Sequence, residues 1–346
     1  MNKKVLLGMS GGVDSSVSAI LLKQQGYEVI GATMKLLKNQ EAGIEDAKKV
    51  CEKLHIKHEV LDLQEEFEKY VISNFVKCYN NGQTPNPCIQ CNKYLKFDIF
   101  YKKALELGCG YIATGHYAKT EYSEKYNQYV IKKSNSKGKD QTYVLYNTEK
   151  EIIPNIIFPL GDFAEKSDIR EIAKNIDLEL YNKPDSQEIC FIPNNNYSEF
   201  IINKNQKVQQ QGNIVDKNGN ILGKHKGLIY YTIGQRKGLG ISSLKPLYVI
   251  ELNTEKNEVV VGEEEDIFKN ILYATDLNFM LPVENGMEVM AKVRYLAKEA
   301  KARIYFENKE KIRVEFEEKQ RAITPGQSVV FYLDEVLLGG GIIINK

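Results

Sequence analysis

The sequence predicts an α/β protein whose doubly wound parallel-sheet domain is followed by a small β-rich central domain and a C-terminal antiparallel β-barrel. Three observations carry this. Through the first half, apolar runs of strand length alternate with amphipathic segments of helix length. From residue 198 the texture turns to Asn, Gln, Gly and Lys, with turn pairs such as Asn218-Gly219 and no helical period. From residue 269 apolar residues recur at period two. The expected domains are therefore 1–197, 198–268 and 269–346.

The elements follow in order. "KKVLLGM" reads as a buried strand, and "SSVSAILLKQQG" as a helix closed by Gly26. "YEVIGATMK" is the next strand. "GIEDAKKVCEKLH" sets Ile44, Ala47, Val50, Cys51 and Leu54 at helical spacing. "HEVLDL" is a strand and "EEFEKYVISNFVKCYNNG" a longer amphipathic helix. After the loop "TPNPCIQCNKYL", "KFDIFYKKALELG" reads as a helix and "GYIATGH" as a strand. "VMAKVRYL", "ARIYFE", "KIRVEF" and "SVVFYLDEV" supply the barrel.

Composition bounds the function. At 346 residues, two or three domains are expected, and 42% hydrophobic with 27% charged residues is ordinary for a soluble protein. No apolar run is long enough for a membrane-spanning helix. The start "MNKKVLLGMSGG" runs into a glycine loop and reads as a strand rather than a signal peptide. Six cysteines without an export signal point to a reduced, cytoplasmic setting. A net charge of +1 decides nothing about nucleic acid. Locally, however, Lys224, His225, Lys226, Arg236 and Lys237 lie among tyrosines, as a phosphate-binding surface would.

In Gly8-Met9-Ser10-Gly11-Gly12-Val13-Asp14-Ser15 a strand passes through glycines into a helix. Glycines let the backbone approach an anion, and the helix N-terminus adds N–H groups and a favourable dipole. A tight, serine-capped turn is the plainer reading. The loop is neither a Walker loop nor a dinucleotide fingerprint. Two more strand ends should face the same crevice, bringing Met34, Gly115 and His116 to it. Met34 also suits core packing, and a lone histidine is more often structural.

Cys51, Cys78 and Cys109 read as packing residues. Cys88 and Cys91 sit in a loop shaped by Pro85 and Pro87, near Lys93 and Lys96, a partly exposed and electropositive setting that favours thiolate. Zinc would want four ligands, and a thioredoxin-like dithiol belongs in a smaller fold without such a glycine loop. Only Cys190 remains as a partner. Two readings stay open. Cys91 and Cys190 form a reactive pair, or Cys88, Cys91 and Cys190 hold three irons of a [4Fe-4S] cluster.

The string S-G-G-x-D-S resembles the pyrophosphatase loop of the adenylating PP-loop ATPases. That resemblance implies ATP, with backbone amides and the Ser10 and Ser15 hydroxyls on its pyrophosphate portion and Asp14 either positioning Mg2+ or capping the helix. Farther along, "GMSGGVDSS", "TPNPCIQCNKYLKF", "YIATGHYAK", "KDQTYVLY", "DSQEICFIP", "YYTIGQRKGLGI", "VRYL", "AITPGQSVVFY" and "LLGGGII" follow in the order found in bacterial tRNA-specific 2-thiouridylases. The chain resembles that family from end to end. The family implies adenylation of the wobble uridine at its C2 oxygen, a persulfide on Cys190, and Cys91 as the nucleophile that releases the sulfur by forming a disulfide. It implies contacts from Asn86, Pro87 and Cys88 to the target base, and from His116, Lys139, Asp140, Gln141, Arg294, Tyr295 and Gln327 to tRNA. It also implies tRNAs for lysine, glutamate and glutamine, a cysteine desulfurase or relay protein as sulfur donor, and a cytoplasmic monomer. Some members carry aspartate at the Cys88 position, so the cluster alternative rests on that cysteine alone. Where many members carry a longer insert after Met34, this chain has only "KNQEAGI", which bears on the nucleotide lid.

Two other readings fit the sequence less well. A synthetase of the amidotransferase or argininosuccinate type would need motifs that are absent. A non-catalytic RNA-binding relative would be expected to have lost Cys91, Cys190 or the Asp14 loop.

Overall fold

A computed structural model describes residues 3–136, 138–175, 189–192, 194, 196–205 and 210–345. The "DSQE" part of the Cys190 motif and Pro193 lie outside the described residues. The chain divides into two compact units, neither continuous in sequence. One comprises Met1–Val71, Cys88–Gln187 and Asp334–Leu338, and the other Ile72–Pro87, Glu188–Leu333 and Gly339–Lys346.

The chain begins β1 (Lys4–Gly8), α1 (Val13–Gln24), β2 (Glu28–Lys35), α2 (Glu41–Lys53), β3 (Lys57–Asp62) and α3 (Gln64–Phe67). Then come α4 (Ser73–Asn80), which belongs to the second unit, α5 (Pro87–Gln90), α6 (Phe100–Glu106) and β4 (Tyr111–Ala113). A hairpin of β5 (Ala118–Ser123) and β6 (Gln128–Lys133), the short β7 (Ile156–Ile157) and α7 (Lys166–Asn175) complete the stretch. The first unit is built on a parallel sheet in the order β3-β2-β1-β4-β7. Val5, Leu6 and Leu7 of β1 have no exposed surface, as a central parallel strand covered on both faces requires. On one face α1 and α7 pack with Val5, Leu7, Val17, Leu22, Ile169 and Ala173 in one core. Strand order reverses at β1: β2 and β3 extend to one side, and β4 returns on the other. The crevice for a ligand therefore lies beyond the carboxyl ends of β1 and β4.

Two expected helices are not regular. The one read over "EEFEKYVISNFVKCYNNG" is split into α3, a π-helical turn over Glu68–Ile72, and α4. The cysteine stretch is not a loop: Pro87 opens α5, the position where its missing N–H costs nothing, and Cys91–Ile99 continues as π-helix. The β5–β6 hairpin was not apparent in the sequence. Its strands carry tyrosine and charge on both faces, while Val130 and Ile131 are buried side by side.

In the second unit, β8 (Gly212–Val215), β9 (Ile221–His225), β10 (Tyr248–Asn253) and β11 (Glu258–Gly262) form a sheet in the order β10-β11-β8-β9 over Ile214, Tyr231, Val249, Val259 and Val261. Next come β12 (Phe268–Phe279), β13 (Met287–Lys292), β14 (Ala300–Phe306), β15 (Ile312–Arg321), β16 (Ser328–Leu333) and β17 (Val336–Ile344). They run in the order β12-β15-β14-β13-β16-β17, and pairing of β12 with β17 closes the antiparallel barrel. Closure pairs β12 and β17 with each other instead of leaving both as open edges. The strand expected over "VMAKVRYL" ends at Lys292, and Arg294 begins a turn in which its carbonyl accepts from the Ala297 N–H at 3.1 Å. Helix α8 (Tyr197–Asn205) also belongs to this unit. Among the described residues no helix is long and apolar enough to cross a membrane.

Candidate active site

The loop after β1 organises itself over a few residues. The Ser10 and Ser15 hydroxyls lie 3.2 Å apart, and Ser15 Oγ also accepts from the Ser10 N–H at 3.2 Å and donates to the Gly12 carbonyl at 3.1 Å. Ser10 Oγ accepts from the Gly12 N–H at 3.3 Å. Gly12 is the N-cap of α1, and no side chain caps that end, which leaves the helix start open to an anion. Two glycines are sterically required. Gly11 has φ +71, and a Cβ there would stand 2.7 Å from the Gly43 carbonyl. A Cβ on Gly115 would come within 3.1 Å of the Asp14 and Ser15 backbone. The two strand ends thus meet, as the sheet order requires.

Asp14 does not cap α1. Its Oδ1 accepts from the Tyr117 hydroxyl at 2.9 Å, and its Oδ2 pairs with Lys166 Nζ at 3.1 Å. Lys166 is 14% exposed and is the first residue of α7. Sequence reading missed both partners. The available signal was a lysine at a helix start, where the dipole disfavours a cation and a carboxylate partner is needed.

Met34 lies above Gly8, its Cε 3.7 Å from where a Cβ would be. The short segment after β2 is held by Gln40: Oε1 accepts from the Leu36 N–H at 2.8 Å, and Nε2 donates to the Met34 carbonyl at 3.0 Å. His116 is buried, its Nδ1 2.7 Å from Thr114 Oγ1 and its ring between Phe97 and Phe158. Burial, reinforced by nearby Lys96, holds its pKa well below the usual value, so the ring is neutral. Next to it, Gln141 Oε1 accepts from the Tyr117 N–H at 3.0 Å. The Asp140 carboxylate accepts from the Ser134 N–H at 3.1 Å and from Thr142 Oγ1 at 2.6 Å. The Lys139 N–H donates to the Ser136 carbonyl at 3.1 Å.

The cysteines divide by environment. Cys51 is fully buried, and desolvation pushes its thiol up to about 12; burial also raises Cys78 and Cys109. Cys88 is exposed on α5, whereas Cys91 is only 8% exposed, against the expectation of a partly open loop for both. Asn86 is half-buried and Pro87 buried. Cys190 is exposed in a turn. Its neighbour Phe191 is anchored edge-on to Phe75 at 5.3 Å and against Phe200 at 5.3 Å, which fixes the turn and leaves the thiol outside. Among the described residues no group of three or more His, Cys, Asp or Glu side chains could hold a metal ion. The [4Fe-4S] alternative thus finds no support from the arrangement of side chains.

In the second unit, Arg294 is spent on the backbone. Its Nη2 donates to the Ala322 carbonyl at 2.9 Å, to the Ile233 carbonyl at 3.3 Å and to Thr324 Oγ1. Tyr295 is half-buried beside it. Gln327 Nε2 donates to the Thr84 carbonyl at 2.7 Å, and the Thr84 N–H donates to the Pro325 carbonyl at 2.9 Å. Gly326, at φ +90, permits that approach, since a Cβ would stand 2.9 Å from the Thr84 nitrogen. In the basic stretch, Lys226 covers the Tyr230 ring at 4.2 Å. His225, however, is 1% exposed and bonded to the Gly227 N–H, so it is no part of a phosphate-binding surface.

Three family models match: the tRNA methyl transferase HUP domain over residues 3–194, the tRNA methyl transferase PRC-barrel domain over 199–263, and the aminomethyltransferase beta-barrel domain over 269–343. The tRNA-specific 2-thiouridylase MnmA of Clostridioides difficile is 51% identical over 356 residues, covering 99% of this chain and 98% of that protein. The MnmA of Caldicellulosiruptor saccharolyticus is 52% identical over 359 residues, covering 99% of each. The solved NMN synthetase of Francisella tularensis is 21% identical, with a TM-score of 0.35, over 54% of this chain and 67% of its own. Sharing about half its positions with these thiouridylases along nearly its whole length, the chain belongs to the tRNA-specific 2-thiouridylase family.

Proposed function

We propose that this protein thiolates C2 of the wobble uridine (position 34) of tRNA, with ATP as activator and a cysteine persulfide as sulfur source. The observation that supports it best is the open anion loop at the switch point of the parallel sheet, in a chain that matches thiouridylases over 99% of its length. A uridine C2 oxygen is a poor leaving group. Its attack on the α-phosphorus of ATP expels pyrophosphate and converts it into an AMP ester. Residues 8–15 hold the phosphates, and Met34 and Gly115 border the nucleoside. Asp14 is the residue that would hold Mg2+, and the ion would supply charge neutralisation on the departing pyrophosphate.

The terminal sulfur of the Cys190 persulfide attacks C2, and AMP departs. The Cys91 thiolate attacks Cys190 Sγ, the S–S bond breaks, and its electron pair stays on the sulfur now bound to C2. Thiouridine leaves, with a Cys91–Cys190 disulfide behind. An external dithiol must return two electrons before the next turnover. Cys190 suits loading by a cysteine desulfurase or relay protein because it is exposed on its turn. Asn86, Pro87 and Cys88 are assigned to the target base, and His116, Lys139, Asp140, Gln141, Arg294, Tyr295 and Gln327 to tRNA, with Arg294 and Gln327 acting through the backbone segments they order. The reading extends to tRNAs for lysine, glutamate and glutamine, to domains 1–197, 198–268 and 269–346, and to a cytoplasmic monomer.

The test is a single turnover with iron-stripped protein, ATP, Mg2+, unmodified tRNA and a persulfide-loading desulfurase. Wild type should form thiouridine, AMP and pyrophosphate, while Cys190→Ser should release pyrophosphate and leave the adenylate on the uridine without forming thiouridine. Normal thiolation by Cys190→Ser would overturn the persulfide assignment.

A further inference from the structure

Cys91 opens the π-helical stretch, and the residue after it is a buried amide. Asn92 is 2% exposed, and its Nδ2 donates to the Val144 carbonyl at 3.0 Å. Its Oδ1 is buried with no hydrogen-bond partner among the described residues. An apolar side chain would occupy such a position without leaving an acceptor unsatisfied. The π geometry around it is itself an uncommon arrangement, one that concentrates at functional sites. The amide is therefore held there for the bond it makes.

That bond ends on a segment already fixed to the nucleotide loop. Val144 closes the turn Thr142–Val144, which follows Gln141. Gln141 exchanges two hydrogen bonds with the Tyr117 backbone, its own N–H donating to the Tyr117 carbonyl at 3.0 Å and its Oε1 accepting from the Tyr117 N–H at 3.0 Å. The Tyr117 hydroxyl donates to Asp14. Direct contacts thus run from the loop carboxylate, through Tyr117, Gln141 and Val144, to the residue beside Cys91.

We propose that Asn92 is a positioning residue for sulfur release, registering the Cys91 thiol against the Asp14 end of the nucleotide loop so that attack follows adenylation in place. The inference rests on the reading of Cys91 as the nucleophile. A misplaced nucleophile leaves adenylation and AMP departure running and slows the release of thiouridine that follows them. A thiol displaced by an ångström loses about a hundredfold in rate.

The experiment measures AMP and thiouridine together in a single turnover for wild type, Asn92→Ala, Asn92→Asp and Cys91→Ser. Asn92→Asp keeps the shape and loses the donor, so it preserves the test if the alanine variant fails to fold. Wild type should give one AMP per thiouridine. The Asn92 variants should keep AMP formation within about twofold while thiouridine falls by about tenfold or more, with unchanged KM for ATP. A ratio that stays at one, whether both products persist or both fall together, overturns the proposal and leaves Asn92 a packing residue. Normal thiolation by Cys91→Ser would instead remove the nucleophile reading itself. An inactive Cys91→Ser with unperturbed Asn92 variants would sink only the positioning role.

Discussion

The glycine loop and the cysteine stretch are held in opposite ways. Among Ser10, Gly12, Ser15 and Ser16 the hydrogen bonds link residues no more than five apart, while Asp14 of the same loop reaches out to Tyr117 and Lys166. The stretch from Thr84 to Phe97 depends on distant partners: Gln327 reaches Thr84 across 243 positions, and Asn92 reaches Val144 across 52. A phosphate cradle can be written into a dozen consecutive residues because its ligand groups are backbone amides. A thiol that must meet a substrate carbon is placed by whatever packs around it. Chemistry of the first kind should fail through local changes, and that of the second through remote ones.

The sharpest way to break this contrast is Gly11→Ala. The left-handed backbone alone costs about 1–2 kcal/mol for an L side chain, and the new Cβ also meets Gly43 and Asp46. AMP formation should fall by more than about tenfold, well beyond the effect of Gly12→Ala, where φ is −103 and the nearest atom is Ser10 Oγ at 3.4 Å. Equal effects at the two positions would show that the loop's geometry is not set locally.

Gln327→Ala is the milder, remote counterpart. It removes the bond to the Thr84 carbonyl, at a cost of about 1 kcal/mol in denaturant unfolding. Thiouridine formation should drop several-fold while AMP formation holds. A loss of AMP formation matching that of Gly11→Ala would erase the distinction between the regions.

The smallest effect concerns His116. Burial depresses its pKa, so on acidification the unfolded chain takes up a proton near its ordinary value of about 6.5 while the folded ring does not. This contribution is complete above that value and declines as pH falls toward the depressed folded pKa. Denaturant titrations at pH 7.5 and 5.5 should show wild type losing up to about 1.4 kcal/mol per pH unit from this group, and His116→Gln losing less. An identical slope for both proteins would exclude the ring as its source.

The contrast also explains what the sequence reveals. The parallel sheet and the glycine turn after β1 could be read because each is coded by short-range pattern: Val5 to Leu7 for a doubly covered strand, Gly11 for a turn. The π-helical turns could not, since each segment is short and no residue type marks the change from i+4 to i+5 bonding. Arg294 was read as a strand residue because its period-two neighbours ran on to Leu296, yet it bonds to carbonyls 61 and 28 residues away. Lys166 was overlooked because its partner Asp14 lies 152 residues upstream. The prolines around Cys91 suggest an open loop, whereas Pro87 starts a helix that carries the thiol inward.

The interleaving of the two units bears on how the chain is made. It passes from one unit to the other five times, after residues 71, 87, 187, 333 and 338. Residues 334–338 complete the first unit, where Val336 pairs with Lys132, and residues 339–344 supply the strand that closes the barrel. On the ribosome, neither unit can therefore finish until nearly the entire polypeptide has emerged. Domains that occupy one uninterrupted stretch fold in turn as they are synthesised. Here the hairpin strand β6 must wait for Val336, although every strand of the parallel sheet lies between Lys4 and Ile157.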